Sequence, residues 1–558
     1  MLALLLGAMT AAAGPMVWPL PGQLHTAMVG SASVLGASVR IVQISPHTLP
    51  DAVVASALSR YTLILQNITG LAGTAAEVTR VEVAVEPSTD SATLGLGTNY
   101  SYALTLSEGG SAVQLRAASR FAVAHGLESL AQLYSKGNRG SFSSFAVADG
   151  PTFPYRALMV DCGRRFVPVA TLHEIIDGMA YSKMSVLNLH ASEYGAFRIE
   201  IKAFPELTAE LGTAFYTQQD IKQLVQYAYL RGIRVVPQID VPGHSSGLLP
   251  LKSRGLAFCG PPPPPGTAET QVYDDPAGKT FSILQTIYDE LFALFPDVVF
   301  DIGADETHVR GACTLANLRQ LEQKLMDHIV AAKKRPLGWE QVYKTTGAAQ
   351  QVAGAIVRVY DTGTDVGNNY SVPLLLNVTS AGHDAIVGDS ARYYLNSCCP
   401  AVHDHKLCEL GALSNRTGIA IHKPCFWTDI LKFDMGEHTL TPQQQTHLLG
   451  GSTSMWTDAY CATNECGAWP GVTPMAGWMA ESPKYDVAFH DSLLASIFPA
   501  AAVAGGAFYR HRPMSMTELD AQWHAFNTDV LMARGVRSCP NGCQCAEDNF
   551  CGKLYAPP

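Results

Sequence analysis

Charge is scarce in this chain, and long apolar runs are missing after its first residues. Charged residues make up 15% of 558 positions, against roughly 25% in an average soluble protein. The 38 basic and 48 acidic residues give a formal net charge of −10, with no basic run. This balance argues against nucleic acid or an anionic membrane as the main partner. No later segment is apolar for the roughly 20 residues that a membrane span needs.

The chain starts with an apolar segment that has no Lys or Arg near its beginning. Residues 1–13 contain three consecutive leucines and end in small residues, which predicts a signal peptide with a small-residue cleavage site. A short N-terminal anchor or an apolar first strand is the alternative, because the segment is too short to span a bilayer. We therefore expect a protein of the secretory pathway, either secreted or delivered to a lysosome or vacuole.

Cysteine usage agrees with an oxidising compartment. The chain has 13 cysteines, four of them close to its end: Cys539, Cys543, Cys545 and Cys551. Disulfides are favoured over a zinc site there, because no paired Cys-x2-Cys repeats or His partners accompany them. The odd total predicts at least one free or intermolecular thiol. Sequons for N-glycosylation, which have meaning only in the secretory pathway, begin at Asn67, Asn99, Asn369, Asn377 and Asn415.

Two folded regions and a tail are predicted after the signal peptide. Residues 18–150 alternate short β-rich runs with a helical pattern, which predicts a small α+β domain. Residues 154–512 repeat strand, loop and helix, which predicts a (β/α)8 TIM barrel. Residues 513–558 form a Cys-rich C-terminal tail. The eight barrel strands are predicted at 156–160, 184–190, 233–240, 298–302, 335–339, 355–360, 384–387 and 448–456.

Two adjacent carboxylates, Asp305 and Glu306, follow the fourth of these strands. Alone, such a pair is more often a solvated turn or a helix start. Other strands of the region also end in polar clusters, however, and catalytic groups of TIM barrels come from the ends of several strands. Like charges this close should leave one carboxyl protonated near neutral pH. The pair is therefore predicted to perform acid catalysis.

Several motifs in the right order carry a family resemblance over residues 18–509. They are Trp18-Pro19-Leu20-Pro21, the segment 156–161, Asp240-Val241-Pro242-Gly243-His244, Gly303-Ala304-Asp305-Glu306 and the segment 450–456. Together they resemble the β-N-acetylhexosaminidases of glycoside hydrolase family 20. The resemblance implies an exo-acting, retaining hydrolase for terminal N-acetylglucosamine or N-acetylgalactosamine. Its substrates would be glycans, chito-oligosaccharides or glycoconjugates.

The resemblance also assigns catalytic roles. In this family the sugar's own 2-acetamido oxygen attacks the anomeric carbon, so no enzyme carboxylate is the nucleophile. Glu306, protonated, would be the general acid, and ionised Asp305 would orient the acetamido N–H and stabilise the cationic intermediate. His244 would link Glu306 to a second carboxylate, Glu193, where the family usually carries Asp. Ala304 likewise replaces a customary Gly.

The remaining site residues are implied sugar contacts. Trp339, Tyr360 and Trp456 would form an aromatic box around the acetamido methyl, with Tyr360 in place of a customary Trp. Tyr394 would donate its hydroxyl to the acetamido oxygen. The other implied contacts to the sugar hydroxyls are Arg156, Asn396 and Asp458. Buried packing is the alternative for the aromatic residues and ion pairing for the charged ones. Cys259 and Cys313 match positions that many relatives bridge.

Two further hypotheses stay open from sequence. A catalytically silent sugar-binding relative, acting in glycan recognition, is compatible with the altered Glu193-Tyr194 segment. A transferase, or a barrel hydrolase for another glycan, is the third. No metal or organic cofactor is expected, because the substrate supplies the nucleophile. Relatives often dimerise, so a homodimer is the expected assembly if the chain is not a monomer.

Overall fold

A computed structural model defines the architecture. It describes residues 16–27, 33–44, 51–68, 76–86, 93–135, 142–193, 196–260, 270–360, 371–395, 430–431, 435–436, 439–457, 490, 493–494, 497–498, 500–510, 522 and 525–538. The predicted signal peptide, the cluster of four cysteines near the end of the chain, Asn396 and Asp458 lie outside these ranges. No helix in the described ranges is both long and apolar enough to cross a membrane.

The first domain is a six-stranded sheet covered by two helices, as predicted. Its elements are β1 (Gln23–Ala27), β2 (Ser33–Gln43), α1 (Ala52–Ile68), β3 (Ala76–Val85), β4 (Tyr102–Leu106), β5 (Ala112–Ala117), α2 (Ala122–Leu133) and β6 (Ser144–Asp149). The strands lie in the order β1-β6-β4-β5-β3-β2. Apolar residues of both helices pack with the sheet in one core.

The second domain is a closed barrel of eight parallel strands. They are β7 (Tyr155–Asp161), β8 (Val186–Ser192), β9 (Arg234–Ile239), β10 (Val299–Asp301), β11 (Arg335–Trp339), β12 (Ile356–Val359), β13 (Asp384–Val387) and β14 (Leu448–Met455). The predicted (β/α)8 barrel is confirmed, and each strand lies within about two residues of its expected bounds.

Helices lie between successive strands and after the last one. They are α3 (Val169–Tyr181), α4 (Gln218–Tyr229), α5 (Lys279–Leu294), α6 (Leu315–Ala331), α7 (Gln341–Lys344), α8 (Ser371–Ser380), α9 (Ser390–Tyr393), α10 (Pro442–Gln445) and α11 (Ala500–Tyr509). Short 3-10 helices span Pro205–Leu207, Ser246–Arg254, Ala349–Gln351 and Met532–Arg534, and a π-helix spans Asn527–Leu531.

Local sequence explains where α4 begins and which face it buries. Thr217 accepts a hydrogen bond from the backbone N–H of Asp220, whose side chain accepts one from the backbone N–H of Thr217. This capping box satisfies backbone donors that the first turn of a helix cannot pair. Ile221, Leu224 and Ala228 then recur at helical spacing and are buried against the barrel. The polar residues between them face water.

Alternation along β7 separates the inside of the barrel from the outside. Tyr155 and Ala157 pack with inward residues of the other strands, whereas Leu158 and Val160 pack under the surrounding helices. Successive side chains of a strand point to opposite faces. Arg156 therefore points out of the barrel, and Met159 points into it beside the tryptophans at its upper end.

A buried ammonium group joins the two domains. Lys183, which follows α3, donates hydrogen bonds to the hydroxyls of Tyr102 at 2.8 Å and Ser129 at 2.7 Å. It also forms an ion pair with Asp149, at 3.3 Å and fully buried. Burial lowers the pKa of Lys183, while Asp149 opposes that shift. The small domain thus supplies all three of these partners of a charge that the barrel carries.

We expect Lys183→Met to lower the free energy of unfolding by roughly 3 kcal/mol, because it removes the buried counter-charge of Asp149 and leaves that carboxylate with the partly exposed Arg510 at 3.5 Å. Denaturant titration followed by fluorescence measures this change. Lys333→Met is the matched control, since Lys333 shares a left-handed backbone, with φ of 61° against 55°, but is exposed. Equal stability losses in the two variants would show that the buried pair contributes nothing.

Candidate active site

The loop after β10 carries the adjacent carboxylates in a left-handed backbone. Gly303, Ala304 and Glu306 have φ of 68°, 64° and 47°. A Cβ at Gly303 would lie 2.2 Å from Asp240 Oδ1, so only glycine fits there. Ala304 adopts a conformation that costs an L-residue about 1 kcal/mol or more. The loop is held in this strained form by its neighbours, and that form places Asp305 and Glu306 at the carboxyl end of the barrel.

His244 lies between three carboxylates. Its Nδ1 is 2.6 Å from Glu193 Oε1, and its Nε2 is 3.5 Å from Glu306 Oε2 and 3.7 Å from Asp305 Oδ1. His244 is nearly buried, whereas the Glu306 side chain is 58% exposed. The predicted link from Glu306 through His244 to Glu193 is therefore present in the structure, despite the longer side chain of Glu193.

Arg164 completes the buried end of this chain of contacts. Its guanidinium lies 2.8 Å from Glu193 Oε1 and 2.9 Å from Asp161 Oδ2. Burial alone would raise the pKa of Glu193, but Arg164 and His244 outweigh it and hold that pKa well below its usual range. Arg164 and His244 therefore keep Glu193 ionised at neutral pH.

The structure corrects the expected position of the retained proton. The hydrogen bond with His244 lowers the pKa of Glu306 in the empty site. It is Asp240, on the loop after β9, whose pKa lies well above its usual range, because it is buried and because Asp305 is close by. Sequence indicated a split within the Asp305–Glu306 pair, but Glu306 faces the histidine instead. Asp240, beside Asp305, is the carboxyl whose neutral form the site favours.

Asp240 accepts a hydrogen bond from the backbone N–H of Ala304 at 2.8 Å and forms another with Asp305. Its neutral form therefore ties the strained loop and the Asp305 carboxylate together. Potential ligand atoms of Asp240, His244 and Asp305 lie within 4.8 Å of one another. Because these groups already bond to Ala304, Glu193 and each other, we interpret them as a proton-holding cluster.

Asp240→Asn should mimic the protonated side chain. The pKa of Asp240 is higher in the folded protein than its unfolded value near 3.8, so above pH 4 the folded protein still holds a proton that the unfolded chain has lost. The free energy of unfolding of the wild type therefore falls as the pH rises above about 4. We expect the stability of the variant relative to wild type to increase from pH 4 to pH 7, by up to roughly 1.4 kcal/mol per pH unit.

Denaturant titrations of both proteins at several pH values measure this difference. Asp327→Asn, at an exposed position of α6, controls for the change of residue type. A stability difference between Asp240→Asn and wild type that stays constant with pH would contradict the retained proton.

Four aromatic residues form one cluster above Met159, at the carboxyl ends of the strands. The ring centroids of Trp339 and Trp456 are 6.1 Å apart, Tyr360 is 5.2 Å from Trp339, and Tyr394 is 5.8 Å from Trp456. Burial raises the pKa of Tyr394 well above its usual value, so its hydroxyl is a hydrogen-bond donor at every ordinary pH. The aromatic residues that sequence predicted are thus brought together.

Arg156 does not join them, and its assignment as a sugar contact was wrong. Its guanidinium donates to the backbone carbonyls of Lys183 and Phe153 and lies 4.9 Å from the ring of Tyr100 in the first domain. It points out of the barrel near the start of β7. Both faces of a barrel strand are buried, so no alternation of polarity indicates the direction of the Arg156 side chain.

The arginine at the site is Arg164, whose guanidinium carbon lies 5.0 Å from the ring of Trp456. Arg358 is a second one that sequence reasoning missed. It is fully buried inside the barrel, 2.8 Å from Asp301 and 4.4 Å from the ring of Trp339. An arginine within a strand of otherwise apolar residues was the available signal for Arg358. Asn396 and Asp458 lie outside the described residues.

The candidate acid loop is also fastened covalently. Cys259 and Cys313 form a disulfide, as the resemblance implied. Gln271 donates a hydrogen bond to the His308 carbonyl at 2.7 Å and accepts one from its N–H at 2.7 Å. These contacts connect the segment after Glu306 to the neighbouring loop. Among the described cysteines, Cys162 is free and buried.

Comparison with known proteins identifies relatives of both domains. Residues 153–479 match the catalytic domain of glycosyl hydrolase family 20, and residues 17–133 match the description "beta-acetyl hexosaminidase like". Mouse beta-hexosaminidase subunit beta is 27% identical over 66% of this chain and 67% of its own length. Beta-hexosaminidase of Emericella nidulans is 30% identical over 54% of each chain. The matched part thus spans about half to two thirds of these curated relatives.

Solved structures share the fold at lower identity. The GH20 beta-N-acetylhexosaminidase of Streptomyces coelicolor has a TM-score of 0.69 at 18% identity, over 94% of this chain and 97% of that one. A mutant beta-hexosaminidase of Streptomyces plicatus in complex with GlcNAc has a TM-score of 0.70 at 19% identity, over 94% and 96%. These two structures support the two-domain architecture.

Proposed function

Because the chain belongs to the β-N-acetylhexosaminidases of glycosyl hydrolase family 20, we propose that it removes single terminal N-acetylglucosamine or N-acetylgalactosamine residues with retention of configuration. Its substrates would be glycans, chito-oligosaccharides or glycoconjugates. The observation that carries the proposal is the chain of contacts from Glu306 through His244 to Glu193, beside an aromatic cluster.

Substrate-assisted attack explains why two adjacent carboxylates suffice. The acetamido oxygen forms a bond to the anomeric carbon while the bond to the leaving oxygen breaks, and water later opens the cyclic intermediate. Asp305, which is hydrogen-bonded to neutral Asp240, would accept a hydrogen bond from the acetamido N–H. It would also stabilise the positive charge that develops on that nitrogen. The aromatic cluster would hold the acetamido group folded under the sugar ring.

Glu306 would deliver the proton to the leaving oxygen and later accept one from water. In the empty site its pKa is low because His244 donates to it. The Glu306–His244 pair can nevertheless hold one proton between them, with Glu193 as the fixed anion behind. A sugar that covers the exposed Glu306 would exclude water and favour the neutral carboxylic acid, which is the form that acid catalysis requires.

Arg164 is the described cation best placed to bind sugar hydroxyls, since it lies against Trp456 at 5.0 Å and a guanidinium can donate to two oxygens at once. Asp458 and Asn396 remain proposed contacts from sequence. A secretory or lysosomal location and a homodimer also remain proposals. The location is supported by the apolar N-terminal segment, the sequons and the disulfide. The homodimer is supported only by the family resemblance.

Hydrolysis of aryl β-N-acetylglucosaminide and β-N-acetylgalactosaminide, with and without a thiazoline that mimics the cyclic intermediate, tests the proposal. Turnover that the thiazoline inhibits would support substrate-assisted hydrolysis, and the ratio of rates would rank the two sugars. Folded protein that binds the thiazoline without releasing product would instead favour the silent sugar-binding alternative. Product analysis would detect transfer to an acceptor.

A further inference from the structure

Tyr360 carries a hydroxyl on the wall of the aromatic cluster, and Gln341 holds it. Gln341 opens α7, two residues after Trp339, and its Nε2 donates a hydrogen bond to the Tyr360 hydroxyl at 2.6 Å. The Tyr360 ring packs edge-on against Trp339 at 5.2 Å. The wall at this point is therefore polar, whereas an indole would have offered no oxygen.

The pair has hydrogen-bonding capacity that no other described residue uses. Because Gln341 is the donor, the Tyr360 hydroxyl keeps its own proton to donate, and no described residue accepts it. Burial raises the pKa of Tyr360, and Asp305 raises it further, so this proton is retained. The Oε1 atom of Gln341 is buried and has no partner among the described residues. A free donor and a free acceptor thus lie side by side.

Such a pair is costly unless something binds to it. A buried polar atom without a partner costs about 1–3 kcal/mol, and native proteins contain few of them. A water molecule or a ligand hydroxyl would satisfy both groups, because a hydroxyl accepts one hydrogen bond and donates another. Tyr360 is also influenced by the charges of Asp305 and Glu306. Tyr360 is thus a wall residue near the candidate catalytic carboxylates.

We propose that the site accepts hexosamines whose N-acyl group ends in a hydroxyl, the N-glycolyl (2-hydroxyacetyl) class, with Tyr360 and Gln341 as the residues that recognise it. This inference rests on the proposed function, in which the N-acyl group occupies the aromatic box. The glycolyl hydroxyl accepts the hydrogen bond of Tyr360 and donates to Gln341 Oε1. No step of the hydrolysis changes, because the acyl oxygen that attacks the anomeric carbon is the same.

The test compares p-nitrophenyl β-glucosaminides that bear N-acetyl, N-glycolyl and N-propionyl groups. Glycolyl and propionyl groups have nearly the same size, so their kcat/KM ratio measures recognition of the hydroxyl rather than room for it. We expect the glycolyl-to-propionyl ratio to be about tenfold higher in the wild type than in Tyr360→Phe, the typical effect of a hydrogen bond in a closed site. Gln341→Met should lower the ratio similarly.

The intrinsic reactivities of the glycolyl and propionyl substrates cancel, because the same kcat/KM ratio is compared between the wild type and each variant. Tyr343→Phe is the matched control: Tyr343 lies on the same short helix, and its hydroxyl contacts the Asn377 carbonyl, so its loss should leave the ratio at the wild-type value. An unchanged glycolyl-to-propionyl ratio in Tyr360→Phe overturns the inference. If the wild type hydrolyses the N-acetyl substrate in that experiment, the proposed function still holds. Failure to hydrolyse the N-acetyl substrate in any folded wild-type sample overturns both.

Discussion

Replacing Glu306 by Gln should reduce kcat by roughly 10²- to 10⁴-fold. The amide keeps the size of the side chain and its position 3.5 Å from His244 Nε2, but it has no proton to give to the leaving oxygen. The loss should grow with the basicity of the leaving group, because a nitrophenolate departs without protonation and a sugar alkoxide does not. Steady-state kinetics with p-nitrophenyl N-acetylglucosaminide and with chitobiose measure both effects.

Glu210→Gln provides the matched control, since Glu210 is exposed and has no role in the proposed mechanism. Its kinetics should equal those of the wild type for both substrates. If Glu306→Gln lowered kcat/KM, which reports the step that releases the leaving group, equally for the two substrates, protonation of the leaving group would not be its role. Near-normal turnover of chitobiose would remove Glu306 from the reaction.

Asp305→Asn should lower kcat by roughly 10²- to 10³-fold, the usual effect of losing one preorganised electrostatic contact in a closed site. In the proposed mechanism its carboxylate faces the position where positive charge develops, and the neutral amide cannot stabilise that charge. Binding of the product N-acetylglucosamine should change little, because the product carries no such charge. The thiazoline, which mimics the cyclic intermediate, should lose affinity in parallel with kcat.

Inhibition constants for the product and the thiazoline, measured beside kcat, separate these effects. The leaving-group dependence seen for Glu306→Gln should be absent here, since Asp305 does not touch the leaving oxygen in this mechanism. Asp327→Asn again controls for the change of residue type. Equal losses of product and thiazoline affinity would make Asp305 a residue of the binding pocket only.

The barrel was predictable from sequence because each strand is a short apolar run bounded by polar residues. The link between His244 and Glu193 was implied by the family resemblance, and it is compatible with the fold because both residues follow parallel strands whose ends meet at one edge. Arg156 was misassigned because a strand buried on both faces shows no alternation of polarity. Whether its side chain points into or out of the barrel depends on how the strand pairs with its neighbours. Only the packing of Tyr155 and Leu158 on opposite sides resolves it.

The position of the proton was beyond sequence for a different reason. Residues that are adjacent in sequence need not be each other's nearest charged neighbours when the backbone turns sharply. Here the backbone turns through left-handed conformations at residues 303, 304 and 306, around Asp305. Asp240, 65 positions earlier in the chain, comes within 4.8 Å of Asp305. A pKa depends on such distances and on burial, and neither is visible in a list of residues.

The ion pair between Lys183 and Asp149 has a consequence for how this protein can be divided. A barrel separated at the linker would retain the lysine at its base but lose Tyr102, Ser129 and Asp149, the groups that make its burial tolerable. The catalytic half is thus not a module that evolution or an engineer can move alone to another host protein. Any exchange of the small domain between relatives has to carry these partner side chains with it.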